Sequence, residues 1–320
     1  MWLTWRAATE RALYGEEGFY LRERPSGHFR TSVSASAAFA EAVLALLAEV
    51  DAELGEPDVL DLVDIGAGEG VLVTQVLETA EPALRERLRV TAVDLSPRPE
   101  GLPERIGWSR SLPVDFAGLA IANEWLDNVP LDVVEQTPDG PRMIMVNVHT
   151  GEERLGGPLR PADRTWLERW WPLPCVGSRA EIGRPRDQAW ASVLVRLSAG
   201  RAIAIDYAHP VDNRPLHGTL TGYRDGAVVA PVPDGTCDIT AHVALDSCAS
   251  AGIRSGAIST TLSTQRDALH KLGLTGARPP LELAHSDPRG YLRALTRASE
   301  EGELIDASGL GGFGWLSQRR

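Results

Sequence analysis

Asp58-Val59-Leu60-Asp61-Leu62-Val63-Asp64-Ile65-Gly66-Ala67-Gly68-Glu69-Gly70 is the stretch that decides the fold. A short aliphatic run closed by glycines is the pattern of a strand buried on both faces of a parallel sheet. Beyond Gly70, Val71, Leu72, Val76, Leu77 and Ala80 recur at helical spacing. The unit is therefore strand, glycine turn, helix. Leu88 to Val93 repeats the strand pattern and ends at Asp94. Gly118 to Ala122 repeats it again and ends at Asn123-Glu124. Downstream, a helix with Trp190, Val193, Leu194 and Leu197 precedes a strand, Ala202 to Ile205, that ends at Asp206-Tyr207. Upstream, Phe39, Val43, Leu46, Leu47 and Val50 mark a helix that stops at Gly55-Glu56-Pro57. This alternation predicts an α/β protein with a mostly parallel, doubly wound, Rossmann-like sheet and right-handed crossovers.

The rhythm breaks over residues 130–180. Val133 to Thr137 and Arg142 to Val148 flank Pro138-Asp139-Gly140-Pro141, a hairpin signal. Trp166, Trp170 and Trp171 follow, and read as core of an insertion lying over the sheet. The expected division is an N-terminal loop and helical extension at 1–55, a Rossmann-like domain at 56–129 and 181–320, and the insertion at 130–180. Asp238 is expected to cap a helix running to Gly252, with His242 a structural residue inside it. Ser263 or Thr264 should cap a helix from Gln265, and Asp287-Pro288 should open another. Phe313-Gly314-Trp315-Leu316 reads as an edge strand.

The glycines let the turn after the first strand fold sharply and let a ligand approach without a Cβ in the way. The helix start adds free N–H groups. Val71 stands where the third glycine of the dinucleotide fingerprint would be, and no lysine follows for a P-loop. A glycine-rich turn can also be only a turn. What fits it as a ligand loop is the first loop of an S-adenosylmethionine (SAM) methyltransferase. Asp64, Gly66, Ala67, Gly68 and Gly70 then hold the cofactor, and Asp94, followed by Leu95, takes the ribose hydroxyls. The carboxyl edge of such a sheet faces the ligand crevice. Asn123 and Glu124, supported by Asp127, are therefore catalytic candidates, and Asn123 also reaches the cofactor. Asp206, Tyr207 and, in the early loop, His28 are substrate candidates.

Composition narrows the alternatives. The chain has 320 residues, 43% hydrophobic and 24% charged, with a formal net charge of −12. An acidic protein lacks the electrostatic footprint of a duplex binder, so no nucleic-acid partner is expected. Lys271 is the one lysine and so the one candidate for lysine chemistry. Cys175, Cys237 and Cys248 form no CxxC, which points to a reducing cytoplasm rather than a disulfide framework or zinc site. The histidines show no metal-like pairing, and no metal is implied. The N-terminus lacks a signal-peptide pattern, and no apolar run approaches a membrane span.

Taken together these motifs resemble the MidA-like SAM-dependent methyltransferases, a family that includes a mitochondrial complex I assembly protein arginine methyltransferase. Gly27-His28-Phe29-Arg30-Thr31-Ser32 is similar to the family's Gly-Asp-Phe-x-Thr-Ser loop. Asp64 to Gly70 resembles its Glu-Leu-Gly-Pro-Gly-x-Gly, and Asp94-Leu95-Ser96-Pro97 its Glu-x-Ser-Pro. Asn123 to Pro130 resembles Asn-Glu-Phe-Phe-Asp-Ala-Leu-Pro, and Ile205 to Ala208 resembles Ile-Asp-Tyr-Gly. Gly235 to Val243 is similar to the Asp-Leu-Thr block, and Thr264-Gln265 also fits. The resemblance implies a SAM fold with an insertion, and a protein side chain, arginine, as methyl acceptor. His28 replaces the family's Asp, and Val33-Ser34 replaces Pro-Glu. The alternatives are a small-molecule methyltransferase on the same scaffold and a non-catalytic assembly or binding protein that keeps the fold.

Overall fold

A computed structural model describes residues 1–23 and 31–320, with the side chains of residues 34 and 35 outside the description. His28 and most of its loop thus lie outside the described residues. The central sheet has seven strands, numbered here in chain order. They are β1 (Leu60–Ile65), β2 (Leu88–Val93), β3 (Gly107–Ser109), β4 (Phe116–Asn123), β5 (Leu197–Asp206), β6 (Ser259–Thr264) and β7 (Gly314–Arg319). Their spatial order is β6-β7-β5-β4-β1-β2-β3. β3, β2, β1, β4 and β5 pair in parallel, while β7 runs antiparallel to both β5 and β6. The chain leaves β1 toward β2 and β3, then returns to β4 on β1's other side. That reversal is a topological switch point, where such sheets open a ligand crevice.

Burial explains the strands. Every residue of β1 is buried. Leu60 and Leu62 join the core formed with Phe39, Val43, Leu46 and Leu47 of the helix Ala37–Glu53. Val63 and Ile65 alternate to the opposite face, against Trp190, Val193 and Leu194 of the helix Arg184–Arg196. Ser36 caps the first of these helices, its hydroxyl accepting the Ala38 N–H at 2.9 Å. Thr264 and Asp287 cap the helices Gln265–Lys271 and Pro288–Leu304.

Four local readings change. The C-terminal strand is interior: β7 pairs on both sides, and the edge is β6, whose sequence Ser-Thr-Thr-Leu-Ser-Thr offers no apolar run to find. Asp238 caps nothing; Asp238–Thr240 is a strand paired with Thr221–Arg224, and the helix begins at Leu245. His242 accordingly sits in a loop, not a helix. The first residues begin as a strand, Trp2–Thr4, which pairs antiparallel with Gly140–Asn147 of the insertion. That sheet continues through Asp132–Thr137 to Arg179–Ile182, so extension and insertion share one layer.

Candidate active site

A cleft of about 610 Å³ opens at the carboxyl ends of β1, β2 and β4, with Tyr14, Tyr20 and Arg22 of the N-terminal segment along one wall. Gly66, Gly68 and Gly70 all adopt left-handed backbone, with φ of 73°, 55° and 72°. Their tasks differ. A Cβ on Gly66 would lie 2.9 Å from the Trp125 ring, and one on Gly70 2.7 Å from a Leu102 methyl. A Cβ on Gly68 would meet nothing within 4 Å. Two glycines therefore admit neighbouring side chains, and Gly68 leaves the cleft open.

Asp94 stands at the end of β2 and closes the loop from the other side. Its Oδ2 accepts the Gly68 N–H at 2.9 Å, and its Oδ1 accepts the Ser96 N–H at 2.8 Å. A carboxylate has about four acceptor sites, so capacity remains on both oxygens. Leu95 lies exposed beside it, and Asp64 is buried at the end of β1; both line the cleft. Burial, with the Asp94 charge adding, pushes the Asp64 carboxyl up to about 7. A cation at the cleft would lower it again.

Glu124 follows β4 with φ of 52°, left-handed backbone that a non-glycine residue seldom adopts. The surrounding structure holds it there: its N–H donates to Ile205 O at 2.8 Å. Its Oε1 accepts the Ser32 N–H at 3.1 Å and the Asn123 Nδ2 at 3.0 Å. Among the described residues no hydrogen bond reaches Oε2. Burial, then the neighbouring Asp127 carboxylate, raises the Glu124 carboxyl to about 8, against the two hydrogen bonds. Asn123 is 8% exposed, and its Oδ1 has no partner among the described residues.

Four expected site residues among those described do not line the cleft: Gly70, which makes room for Leu102, and Asp127, Asp206 and Tyr207. Asp206 is 1% exposed; its Oδ2 accepts the N–H groups of Leu126 and Asp127 at 2.9 and 3.2 Å, fixing the turn Leu126–Asn128. Asp127 is likewise buried, and desolvation, then the neighbouring Asp206 and Asp238 carboxylates, push its carboxyl well up. Tyr207 packs between His242 and Phe313, at ring distances of 5.4 and 4.2 Å. Strand-end position suggested exposure at the edge; the turn Leu126–Asn128, the segment from Asp238 to Val243 and Phe313 lie against these residues instead.

The structure also brings in residues outside the candidate set. Arg186, fully buried, donates to the carbonyls of Asp127, Val129 and His242, and is the cation facing Asp127 and Asp206. Tyr14 donates to Asn128 O at 3.1 Å and Tyr20 to Asp238 at 2.8 Å, with the two rings stacked 5.6 Å apart. Asn128, which replaces the family's alanine, bonds Asp238 and Thr240. Nothing local in the sequence pairs these residues. Among the described residues no group of three His, Cys, Asp or Glu could hold a metal, and no helix is long and apolar enough to cross a membrane.

A glycine loop after β1, an acid after β2 and a polar pair after β4, at the switch point of this sheet, define a Rossmann-like methyltransferase. A family model described as "Putative S-adenosyl-L-methionine-dependent methyltransferase" matches residues 42–262. The chain belongs to this family of SAM-dependent methyltransferases. It is similar over 100% of its length to a COG1565 superfamily member from Burkholderia thailandensis bound to S-adenosyl-homocysteine (25% identity, 88% of that chain, TM-score 0.82). A native structure of a COG1565 superfamily protein from the same organism is similar to the same extent (27% identity, 100% and 87% covered, TM-score 0.81). The curated proteins include no match. The expected fold and the SAM cofactor are thereby borne out.

Proposed function

We propose that the enzyme methylates a nitrogen on a protein side chain, the guanidinium of arginine. The observation that carries this reading is Glu124: one carboxyl oxygen is saturated by Ser32 and Asn123, while the other is left for a ligand at the mouth of β4. When bound, SAM supplies the methyl group on a sulfonium. Asp94 suits its ribose hydroxyls, the loop from Gly66 to Glu69 its close approach, and the acceptors Asp64 and Asn123 Oδ1 its ammonium. A guanidinium has planar donors that match a carboxylate. Glu124 orients that nucleophile and offsets its repulsion from the sulfonium, and catalysis is then positioning and electrostatics. Arriving positive charge favours the ionised carboxylate, so the raised Glu124 carboxyl becomes a base for the proton that the guanidinium loses.

A formal net charge of −12 supports a protein or peptide partner over nucleic acid. Three free cysteines support a cytoplasmic location. The test is incubation with methyl-labelled SAM and cell lysate, followed by acid hydrolysis of the labelled protein. Labelled methylarginine is the expected product. Label confined to small molecules overturns the reading in favour of a small-molecule acceptor.

A further inference from the structure

Glu124 is tied to a part of the chain remote from the cleft. Gln265 opens the helix Gln265–Lys271, is fully buried and does not line the cleft. Its backbone N–H donates to Phe313 O at 2.8 Å. Its side-chain amide spans two further segments: Nε2 donates to Leu304 O at 2.9 Å, and Oε1 accepts the Ser32 hydroxyl at 3.0 Å. Ser32, also fully buried, is the residue whose N–H donates to Oε1 of Glu124. A buried amide is costly unless both ends are bonded. Here both are, and one partner is the residue that holds the candidate acceptor-binding carboxylate.

We propose that Gln265 is a positioning residue for methyl transfer, acting through the Ser32 hydroxyl to hold the Ser32 N–H on Oε1 of Glu124 so that Oε2 alone meets the acceptor. This rests on the reading of Glu124 as the acceptor-facing carboxylate. The other titratable groups facing Glu124 are Asp127 from the turn, and Asp206 and Tyr207 from the end of β5. Asp127 and Asp206 disfavour a second negative charge, and no cation touches Glu124 among the described residues. The N–H of Ser32 and the amide of Asn123 are what favour its ionised form. Loosening Ser32 should therefore both free the side chain to rotate and raise its titration.

The experiment uses Gln265→Met, which keeps length without hydrogen bonds, Ser32→Ala, the double variant, and Thr264→Ala as control. Thr264 caps the same helix through the Asp267 N–H and hydrogen-bonds to neither Ser32 nor Glu124. The protonated Glu124 carboxyl is followed by infrared difference spectroscopy against pH in the protein alone, its band assigned by its loss in Glu124→Gln. Each single variant should move the midpoint upward by about one pH unit, the size of one charge-assisted hydrogen bond. The double should move it no further than either single, because both act on one link. Thr264→Ala should leave it in place. Once an acceptor is known, kcat should fall about tenfold in Gln265→Met with KM for SAM unchanged. An unmoved midpoint in the folded single variants, or additive shifts in the double, overturns the proposal. If Gln265→Met does not fold, Ser32→Ala carries the same test. The titration needs no acceptor, so it stands or falls apart from the arginine reading.

Discussion

Gly68 and Asp94 are joined by a 2.9 Å hydrogen bond from the Gly68 N–H to Oδ2 of Asp94. The acid suited to the ribose is thus also the clasp of the glycine loop. Asp94→Ala removes both contributions at once. Each charge-assisted hydrogen bond is worth about 1.5–3 kcal/mol, and about 1.4 kcal/mol is one decade of affinity. SAM and S-adenosyl-homocysteine should therefore bind at least about tenfold more weakly, measured by calorimetry. A shift below twofold would show that another acid holds the ribose.

The glycines should separate by readout. Gly68→Asp fills open space at the cleft, and aspartate tolerates left-handed backbone better than most residues. Its melting temperature should change little while SAM binding is lost. Gly66→Ala instead drives a Cβ toward the Trp125 ring at 2.9 Å. It should lower the melting temperature more than Gly68→Asp does. The reverse order would contradict the division of roles.

Glu124→Gln keeps the shape and removes the charge. SAM affinity should stay within a few-fold of wild type, while turnover drops by roughly two decades, as for loss of one preorganised electrostatic group. Wild-type turnover under subsaturating acceptor should climb with pH toward about 8, where Glu124 ionises unaided. Normal turnover in Glu124→Gln would remove the carboxylate from the chemistry.

The same group predicts stability against pH. In the folded protein burial, then Asp127, holds the Glu124 carboxyl at about 8, above its ordinary 4.5. Between those values the folded state keeps a proton that the unfolded state has released. Stability therefore falls as pH rises through that window and levels above it. Asp206, raised to about 8 mainly by burial, adds in the same direction. Glu124→Gln should gain on wild type in thermal melts from pH 5 to pH 9 without ligand. Parallel curves would show that Glu124 titrates normally.

Arg186→Met should cost about 3–5 kcal/mol in urea unfolding, the range for removing one member of a buried charged set. The loss takes the Arg186 donor from the carbonyls of Val129 and His242, leaves the Asp127 carbonyl with the Ala241 N–H alone, and leaves Asp127 and Asp206 without their cation. A cost below about 1 kcal/mol would mean that the turn at Leu126 holds itself.

The sequence by itself determined the βαβ order, the glycine loop with its acid at the end of the next strand, the Asp139-Gly140 hairpin and the cap at Asp287, and it narrowed the cap before Gln265 to Ser263 or Thr264. These are local: period, turn chemistry and capping act over a few residues, and a strand buried on both faces announces itself by composition. Only the tertiary structure decided which polar residues meet. The pairing of Trp2–Thr4 with Gly140–Asn147, the polar edge strand β6, the Arg186 contacts, and the line from Gln265 through Ser32 to Glu124 all join segments far apart in the chain. Asp127 and Asp206 share the strand-end signal of Glu124, yet are buried behind it. The physical reason is that a buried polar group persists because of its partner, and a partner a hundred residues away leaves no periodicity to read.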